Sequence, residues 1–258
     1  MKLSCSNIAW TANRDGEVYA LMHALGYAGL EIAPTRLFPD RPYDHSGEMA
    51  ELASELERAY GLKVCSMQSV LNGRSENLFD PDQAEILLEV LERASVFGEA
   101  AGGCNLVFGC PRNRIMPDGM GERDALEFFR RAAESASGHG CVLSLEANPP
   151  LYGTNFVNTT REAFAFAKKI PGLKVNLDFG TIVNQQETLK TVAANTQLIG
   201  HVHISEPGLV PVIRREAHAE LAEILRDCGY GGFVSVEMKQ TDAETLQSVL
   251  EYVREVFA

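Results

Sequence analysis

Three acidic residues and one histidine in the second half of the chain each stand at or near the end of a short apolar run. Cys141–Glu146 and Lys174–Asp178 end in a carboxylate, Ile199–Ile204 carries His203, and Phe233–Met238 carries Glu237. The separations between Glu146, Asp178, His203 and Glu237 are 32, 25 and 34 residues, each a plausible length for one strand–helix repeat. If the runs are neighbouring parallel strands, the four side chains converge at one end of the sheet. Three carboxylates at close range repel one another unless a cation sits among them. Carboxylate-rich ligation with one imidazole suits Mn²⁺ or Mg²⁺ and tolerates Co²⁺ or Zn²⁺. Taken singly, each residue has a plainer use. A strand-end Glu can cap a helix or pair with Lys or Arg, and a strand His can be a hydrogen-bonded core residue. The recurrence at four successive run ends is what favours a site for one divalent metal.

The elements that would position these residues alternate along the whole chain. Further strand-like runs are Leu3–Ala9, Gly29–Ala33, Lys63–Val70 and Asn105–Gly109, making eight in all. Between them lie helical patterns such as Met49, Leu52, Ala53, Leu56 and Leu87, Val90, Leu91, Ala94, spaced as one face of a helix requires. Glycines such as Gly61, Gly138 and Gly172 stand just before strands, where a left-handed helix cap is expected. Strands joined by connections too long for hairpins must run parallel, and eight such units predict a single (β/α)8 barrel over residues 1–258. In that fold the active site forms at the C-terminal strand ends. An open doubly wound sheet is the alternative. It usually brings a Gly-rich phosphate turn after the first strand, and Ile8-Ala9-Trp10-Thr11-Ala12-Asn13 is not one.

Composition narrows the partners. The formal net charge is −12, and no basic run interrupts it, so nucleic acid is a poor partner. No apolar run is long enough to cross a bilayer. The six cysteines lack metal-type spacing, and the N-terminal residues enter a strand with no signal-type apolar region. Reduced thiols in a cytoplasmic protein are therefore expected.

The segments Ser144-Leu145-Glu146-Ala147-Asn148-Pro149, Leu177-Asp178-Phe179-Gly180, Gly200-His201-Val202-His203-Ile204-Ser205-Glu206 and Ser235-Val236-Glu237-Met238 carry a family resemblance. With Gly26-Tyr27-Ala28-Gly29-Leu30-Glu31-Ile32 and Gly229-Tyr230-Gly231-Gly232, they resemble the sugar isomerase/epimerase branch of the xylose-isomerase-like TIM barrels over nearly the whole chain. The resemblance implies that Glu146, Asp178, His203 and Glu237 bind one divalent metal, usually manganese or magnesium. It also implies that Glu146 and Glu237 act as acid and base. Substrate is not implied, because relatives include epimerases, isomerases, dehydratases and DNA-repair nucleases. Three positions depart from the ketose 3-epimerases of that family. Thr181 stands where they carry a substrate-binding His, Leu209 where they carry an Arg, and Tyr152 where they carry a Glu. Glu206 matches a family acid that follows the metal His. The metal platform looks kept while the substrate clamp is rewritten.

Other residues are weaker candidates. Gln68, with Ser66 on one face of the third strand, suits hydroxyl recognition or simple backbone pairing. Arg112 and Arg114 follow the fourth strand and could hold a substrate carboxylate or phosphate, or stand solvated in a loop. Glu31 either points into the barrel or pairs structurally; His218 reads as a surface residue at a helix start. His201 lies one layer below His203, so a supporting or core role is expected.

The expected reaction is isomerisation or epimerisation of a small sugar-like substrate. Glu146 and Glu237, from the two outer strands of the quadrant, would pass a proton through an enediolate. A lyase or dehydratase on an oxo-sugar or oxo-acid would use the same platform. An AP-endonuclease-type nuclease needs further histidines, and only six exist. A metal-free binding barrel would leave the converging acids unexplained. Homo-oligomers are common among such barrels, but nothing in the sequence locates an interface.

Overall fold

The structure, a computed structural model, describes residues 1–258. Eight parallel strands close into one barrel in sequence order, with the first hydrogen-bonded to the eighth. They are β1 (Lys2–Ser6), β2 (Gly29–Ile32), β3 (Lys63–Met67), β4 (Asn105–Phe108), β5 (Val142–Glu146), β6 (Lys174–Asp178), β7 (Ile199–Ile204) and β8 (Phe233–Val236). The helices are α1 (Asp15–Ala24), the single turn α2 (Pro34–Leu37), α3 (Ser46–Tyr60), α4 (Pro81–Ala100) and α5 (Glu122–Gly138). They continue with α6 (Thr160–Ala167), the short α7 (Phe179–Asn184) and α8 (Lys190–Ala193), then α9 (Glu216–Asp227) and α10 (Ala243–Phe257). No helix is long and apolar enough to cross a membrane.

The expected (β/α)8 barrel is therefore the fold, with all eight strands where the apolar runs lie. Three runs end two or more residues sooner than their hydrophobicity suggests. After Ser6 the chain turns into a 3-10 segment, Asn7–Ala9, whose Asn7 Oδ1 accepts from the Ala33 amide at 2.9 Å. The third run stops at Met67, and two residues later Ser69 adopts a left-handed backbone. The eighth stops at Val236, although the Glu237 amide still donates to the Ile204 carbonyl at 3.0 Å.

Strand side chains alternate between two environments, as a period of two requires. Leu143, Leu145, Val175, Leu177, Val202, Ile204, Val234 and Val236 belong to the one large apolar cluster that the strands and helices build together. The intervening residues point to the barrel axis and are mostly polar: Ser144 Oγ donates to Asn105 Oδ1 at 2.5 Å, and Asn105 Nδ2 donates to Ser66 Oγ at 3.1 Å. Glu31 of β2 reaches His203 of β7, strands that are not neighbours, so both side chains occupy the axis.

A register shift places the histidines. Val175 pairs with Ile199 but Asn176 pairs with His201, so Gly200 is an extra residue in β7. After this bulge His201 and His203 stand beside Asn176 and Asp178. Glycine is needed there, since an added Cβ would lie 2.9 Å from Lys174 Cβ and within contact distance of Ser144 Oγ. Overpacking of this kind costs ~1–3 kcal/mol. Gly200→Ala should lower the unfolding free energy by that amount, read as a lower denaturant midpoint at an unchanged slope; an unaltered midpoint would show that the bulge has room.

Candidate active site and metal centre

The site begins with Glu146, the last residue of β5. Its Oε1 accepts from Asn148 Nδ2 at 2.9 Å and its Oε2 from Asn176 Nδ2 at 2.7 Å. Both donors are buried side chains, so the carboxylate is held in one orientation. His203 Nδ1 lies 3.1 Å from Glu146 Oε2 and 3.1 Å from Glu237 Oε2. The ring's other nitrogen, Nε2, lies 2.9 Å from Glu31 Oε2, and His201 Nε2 lies 3.2 Å from that same oxygen. Glu31 thus sits buried beneath the site between two imidazoles. A carboxylate behind a histidine selects which nitrogen carries the proton and leaves the other free to ligate.

Asp178 is used differently. Its Oδ2 accepts from the Thr181 amide at 2.7 Å and the Thr181 hydroxyl at 2.8 Å, and its Oδ1 accepts from Ser205 Oγ. It is the N-cap of α7. The structure therefore gathers Glu146, His203 and Glu237, with ligand atoms within 4.8 Å of one another, and leaves Asp178 in the wall of the same cavity. Asp178 Oδ2, with two donors, is filled, while Oδ1, with one, keeps a lone pair.

Electrostatics follow from burial. Burial, with Glu146 and Asp178 nearby, pushes the Glu237 carboxyl up to about 7. Burial and the Glu146 charge also raise Asp178. Burial works against ionised Glu31, yet His203 and His201 overcome it and hold its carboxyl well below the usual range. His203 is disfavoured as a cation by burial, but Glu31, Glu237 and Glu146 hold it well above an ordinary histidine.

These donors fit a divalent ion. Two ligands at right angles, ~2.2 Å from an octahedral ion, stand about 3.1 Å apart, which is the spacing of His203 Nδ1 from both glutamates.

The remaining candidates are distributed around this centre. Gln68 lines the cavity, about 190 Å³ in volume, while its Nε2 donates to Ser6 Oγ at 2.6 Å. Arg112 is exposed and lines a neighbouring chamber of about 260 Å³ that shares Cys110 and Pro111 with the cavity. Arg114 is not a loop arginine facing a ligand. It is fully buried and donates from Nη2 to the Glu146 carbonyl at 2.8 Å and to Asn148 Oδ1 at 2.6 Å, beneath the residues it was expected to accompany. Glu206 is buried in a two-pronged pair with Arg215, at 2.8 and 2.6 Å, and does not line the cavity. His218, expected at the surface, is buried in α9 with Nδ1 2.8 Å from the Tyr252 hydroxyl. The supporting roles of Glu31, Asn148 and Asn176 went unassigned in the sequence, although Asn176 shares strand parity with Asp178 and Asn148 follows Glu146 by two residues.

Comparison with known proteins gives a consistent family. Residues 19–256 match the family model described as xylose isomerase-like TIM barrel. No curated protein matches the chain. Among solved structures, D-psicose 3-epimerase from Clostridium cellulolyticum H10, crystallised with D-tagatose, superposes with a TM-score of 0.77 at 19% identity, covering 100% of this chain and 99% of that one. The 3-keto-D-glucoside 4-epimerase of E. coli gives 0.74 at 19% identity, covering 99% of both chains. An AP endonuclease of family 2 from Brucella melitensis gives 0.75 at 18% identity, covering 100% of both. At these identities the likeness is one of fold.

Two measurements test the centre. Proton and cation compete for Glu237 and His203, so Mn²⁺ affinity should weaken as pH falls through about 7 and binding should release protons. Calorimetry in buffers of different ionisation enthalpy reads both effects, and pH-independent binding without proton release would reject the assignment. Glu31→Gln should weaken Mn²⁺ affinity by ~10–100-fold, the usual effect of losing a carboxylate behind a ligating histidine.

Proposed function

The chain belongs to the xylose isomerase-like TIM barrel family, and from that premise we propose a divalent-metal-dependent isomerase or epimerase of a small sugar or sugar derivative. The observation that carries this reading is the pair of glutamates, Glu146 at the end of β5 and Glu237 just beyond β8, each 3.1 Å from one nitrogen of His203. Glu146, His203 and Glu237, with Asp178 completing the shell, would hold the ion. When bound, it would supply Lewis-acid polarisation of a substrate carbonyl and offset the charge of the acids. Manganese or magnesium suits this donor set.

The chain's own residues would handle the proton. One glutamate removes the proton next to the carbonyl, and the other returns it to the opposite face or to the neighbouring carbon. Glu146 is held by amide donors on both oxygens, whereas the Glu237 carboxylate meets only His203. Glu237, raised to about 7, can carry or release a proton near neutrality. Gln68 and Ser69 offer the cavity neutral polar groups for hydroxyl recognition. Arg112 stands outside, within the adjoining chamber, placed for an anionic group that projects beyond the cavity.

The fold is shared with an AP endonuclease of family 2. The histidines outside the site are used elsewhere. His23 pairs with the Tyr60 carbonyl, His45 with Glu48, and His139 with Glu92 and Glu99. With a net charge of −12, these placements favour the small-molecule reading.

Replacing either Glu146 or Glu237 by Gln should lower kcat by at least ~10²–10⁴-fold, the usual worth of general acid–base catalysis. In deuterated water the wild type should place deuterium on the carbon next to the carbonyl, and the variant lacking the base should not. Near-wild-type turnover by both variants would end the two-glutamate mechanism. Asp178→Asn should act mainly on the cation, so excess Mn²⁺ should restore part of its activity.

A further inference from the structure

Arg114 is a buried charge whose hydrogen bonds end only on neutral oxygens. It closes the 3-10 segment Pro111–Arg114 on the β4–α5 loop and is fully buried. Both of its bonds come from Nη2, to the Glu146 carbonyl at 2.8 Å and to Asn148 Oδ1 at 2.6 Å. Its Nε and Nη1 are buried without a partner. A guanidinium held this way is costly, and an apolar side chain of similar volume would fill the space with less penalty. Packing alone therefore does not account for an arginine here.

Asn148 stands between Arg114 and Glu146, and its amide has two unlike ends. A guanidinium carries donors only, so Asn148 turns Oδ1 toward Arg114. That leaves Nδ2 to face acceptors, the Glu146 Oε1 at 2.9 Å and the Ala147 carbonyl at 3.2 Å. The reversed amide would set its NH₂ against a guanidinium N–H and its oxygen against a carboxylate. Arg114 thus selects the one amide orientation that gives Glu146 a donor.

The loop that carries Arg114 is pinned against the same carboxylate. Gly109, where the loop leaves β4, packs so closely that an added Cβ would stand 3.0 Å from Glu146 Oε1. The Arg114 carbonyl accepts from Thr154 Oγ1 at 3.0 Å, and Asn158 Nδ2 donates to the Asn148 and Thr154 carbonyls at 2.8 and 3.0 Å. Cys110 and Pro111 of this loop line the cavity.

We propose that Arg114 is a positioning residue for the metal centre: through Asn148 and the Glu146 carbonyl it fixes the direction in which the Glu146 carboxylate points. The proposal rests on the metal-dependent reading above and adds a residue to its machinery. Arg114 touches neither cation nor substrate, and its effect passes through Asn148.

The sign of a metal-binding change separates positioning from simple charge. If Arg114 acted only as a nearby positive charge, Arg114→Met would relieve repulsion and tighten Mn²⁺ binding. A positioning role predicts the reverse, a loss of about ten- to a hundredfold by calorimetry, with Asn148→Ala losing a similar amount. The two changes act on one chain of bonds, so the double variant should fall no more than about threefold below the weaker single variant. Arg114→Lys should recover most of the affinity, because one ammonium nitrogen can make both Nη2 bonds. Side-chain amide signals of ¹⁵N-asparagine-labelled protein with Mg²⁺ read the orientation itself, the Asn148 pair being identified by its loss in Asn148→Ala. That pair should broaden or double in Arg114→Met and stay single in Arg114→Lys. Unchanged or tighter Mn²⁺ binding by Arg114→Met, or fully additive losses, would overturn the proposal. Should Arg114→Met not fold, unchanged affinity in Asn148→Ala would do the same. If the wild type takes up no Mn²⁺, the metal-dependent reading fails, and a single, sharp Asn148 pair in Arg114→Met would still remove Arg114 from its role.

Discussion

The structure depends on one constraint: in a closed parallel barrel every second residue of every strand must face the axis. Here that axis is filled with short polar side chains in place of the usual branched aliphatics. Ser4, Ser66, Asn105, Ser144, Asn176 and Ser235 are all buried, while their strand neighbours join the apolar cluster outside. A buried hydroxyl or amide costs free energy without a partner; the chain Ser144–Asn105–Ser66 supplies partners across three adjacent strands, whereas Ser4 Oγ, Ser235 Oγ and Asn176 Oδ1 have none. Because the polar layers lie below the mouth, the carboxylates above them find ready-made donors. Asn176, one layer below Asp178 on the same face of β6, bonds Glu146 on the next strand.

The same axis explains the charges. Glu31 comes from the opposite side of the barrel, yet its carboxylate lies within 3.2 Å of both imidazoles of β7. An isolated buried carboxylate would take up a proton, and two buried imidazoles would lose theirs. Placed together, Glu31 stays ionised and His203 is favoured as a cation, whereas burial still lowers His201. This asymmetry suits a ligand. His203 has its far nitrogen engaged by Glu31 and its near nitrogen aimed at Glu146 and Glu237. Arg114 adds a second buried positive charge under Glu146, and it has no carboxylate partner of its own. Its charge offsets part of the acidic excess, and its hydrogen bonds align the Glu146 backbone and Asn148.

Whatever obeys strand periodicity was legible in the sequence. The barrel, the eight strands and the convergence of Glu146, His203 and Glu237 follow from run ends and spacing. What was not legible depends on contacts between elements remote in sequence. Glu31 and His203 are 172 residues apart, and nothing in either segment identifies the partner. Arg114 reads as a loop cation because its neighbours are Pro, Asn and Ile; only the return of the chain beneath β5 buries it. Glu206 looks free until Arg215 folds back upon it, and His218 looks exposed until α10 brings Tyr252 against it. Asp178 was legible as a strand-end acid, but its second duty as the cap of α7 arises because the helix starts at the very next residue.

The division between strands and loops explains how such a platform tolerates change of substrate. The buried charged residues of the site sit on β2, β5 and β7 or just beyond β8, and each is held by at least one partner from another strand. Altering them disturbs buried charge, which is costly. Tyr152 and Leu209 stand instead on two loops joined by a single hydrogen bond between a phenol and an amide, with exposed neighbours on either side. Neither residue is bonded to the network under the acids. Loops carried by a rigid scaffold are where specificity can be rewritten cheaply, and Leu209, with a φ of 57° on such a loop, lines the cavity.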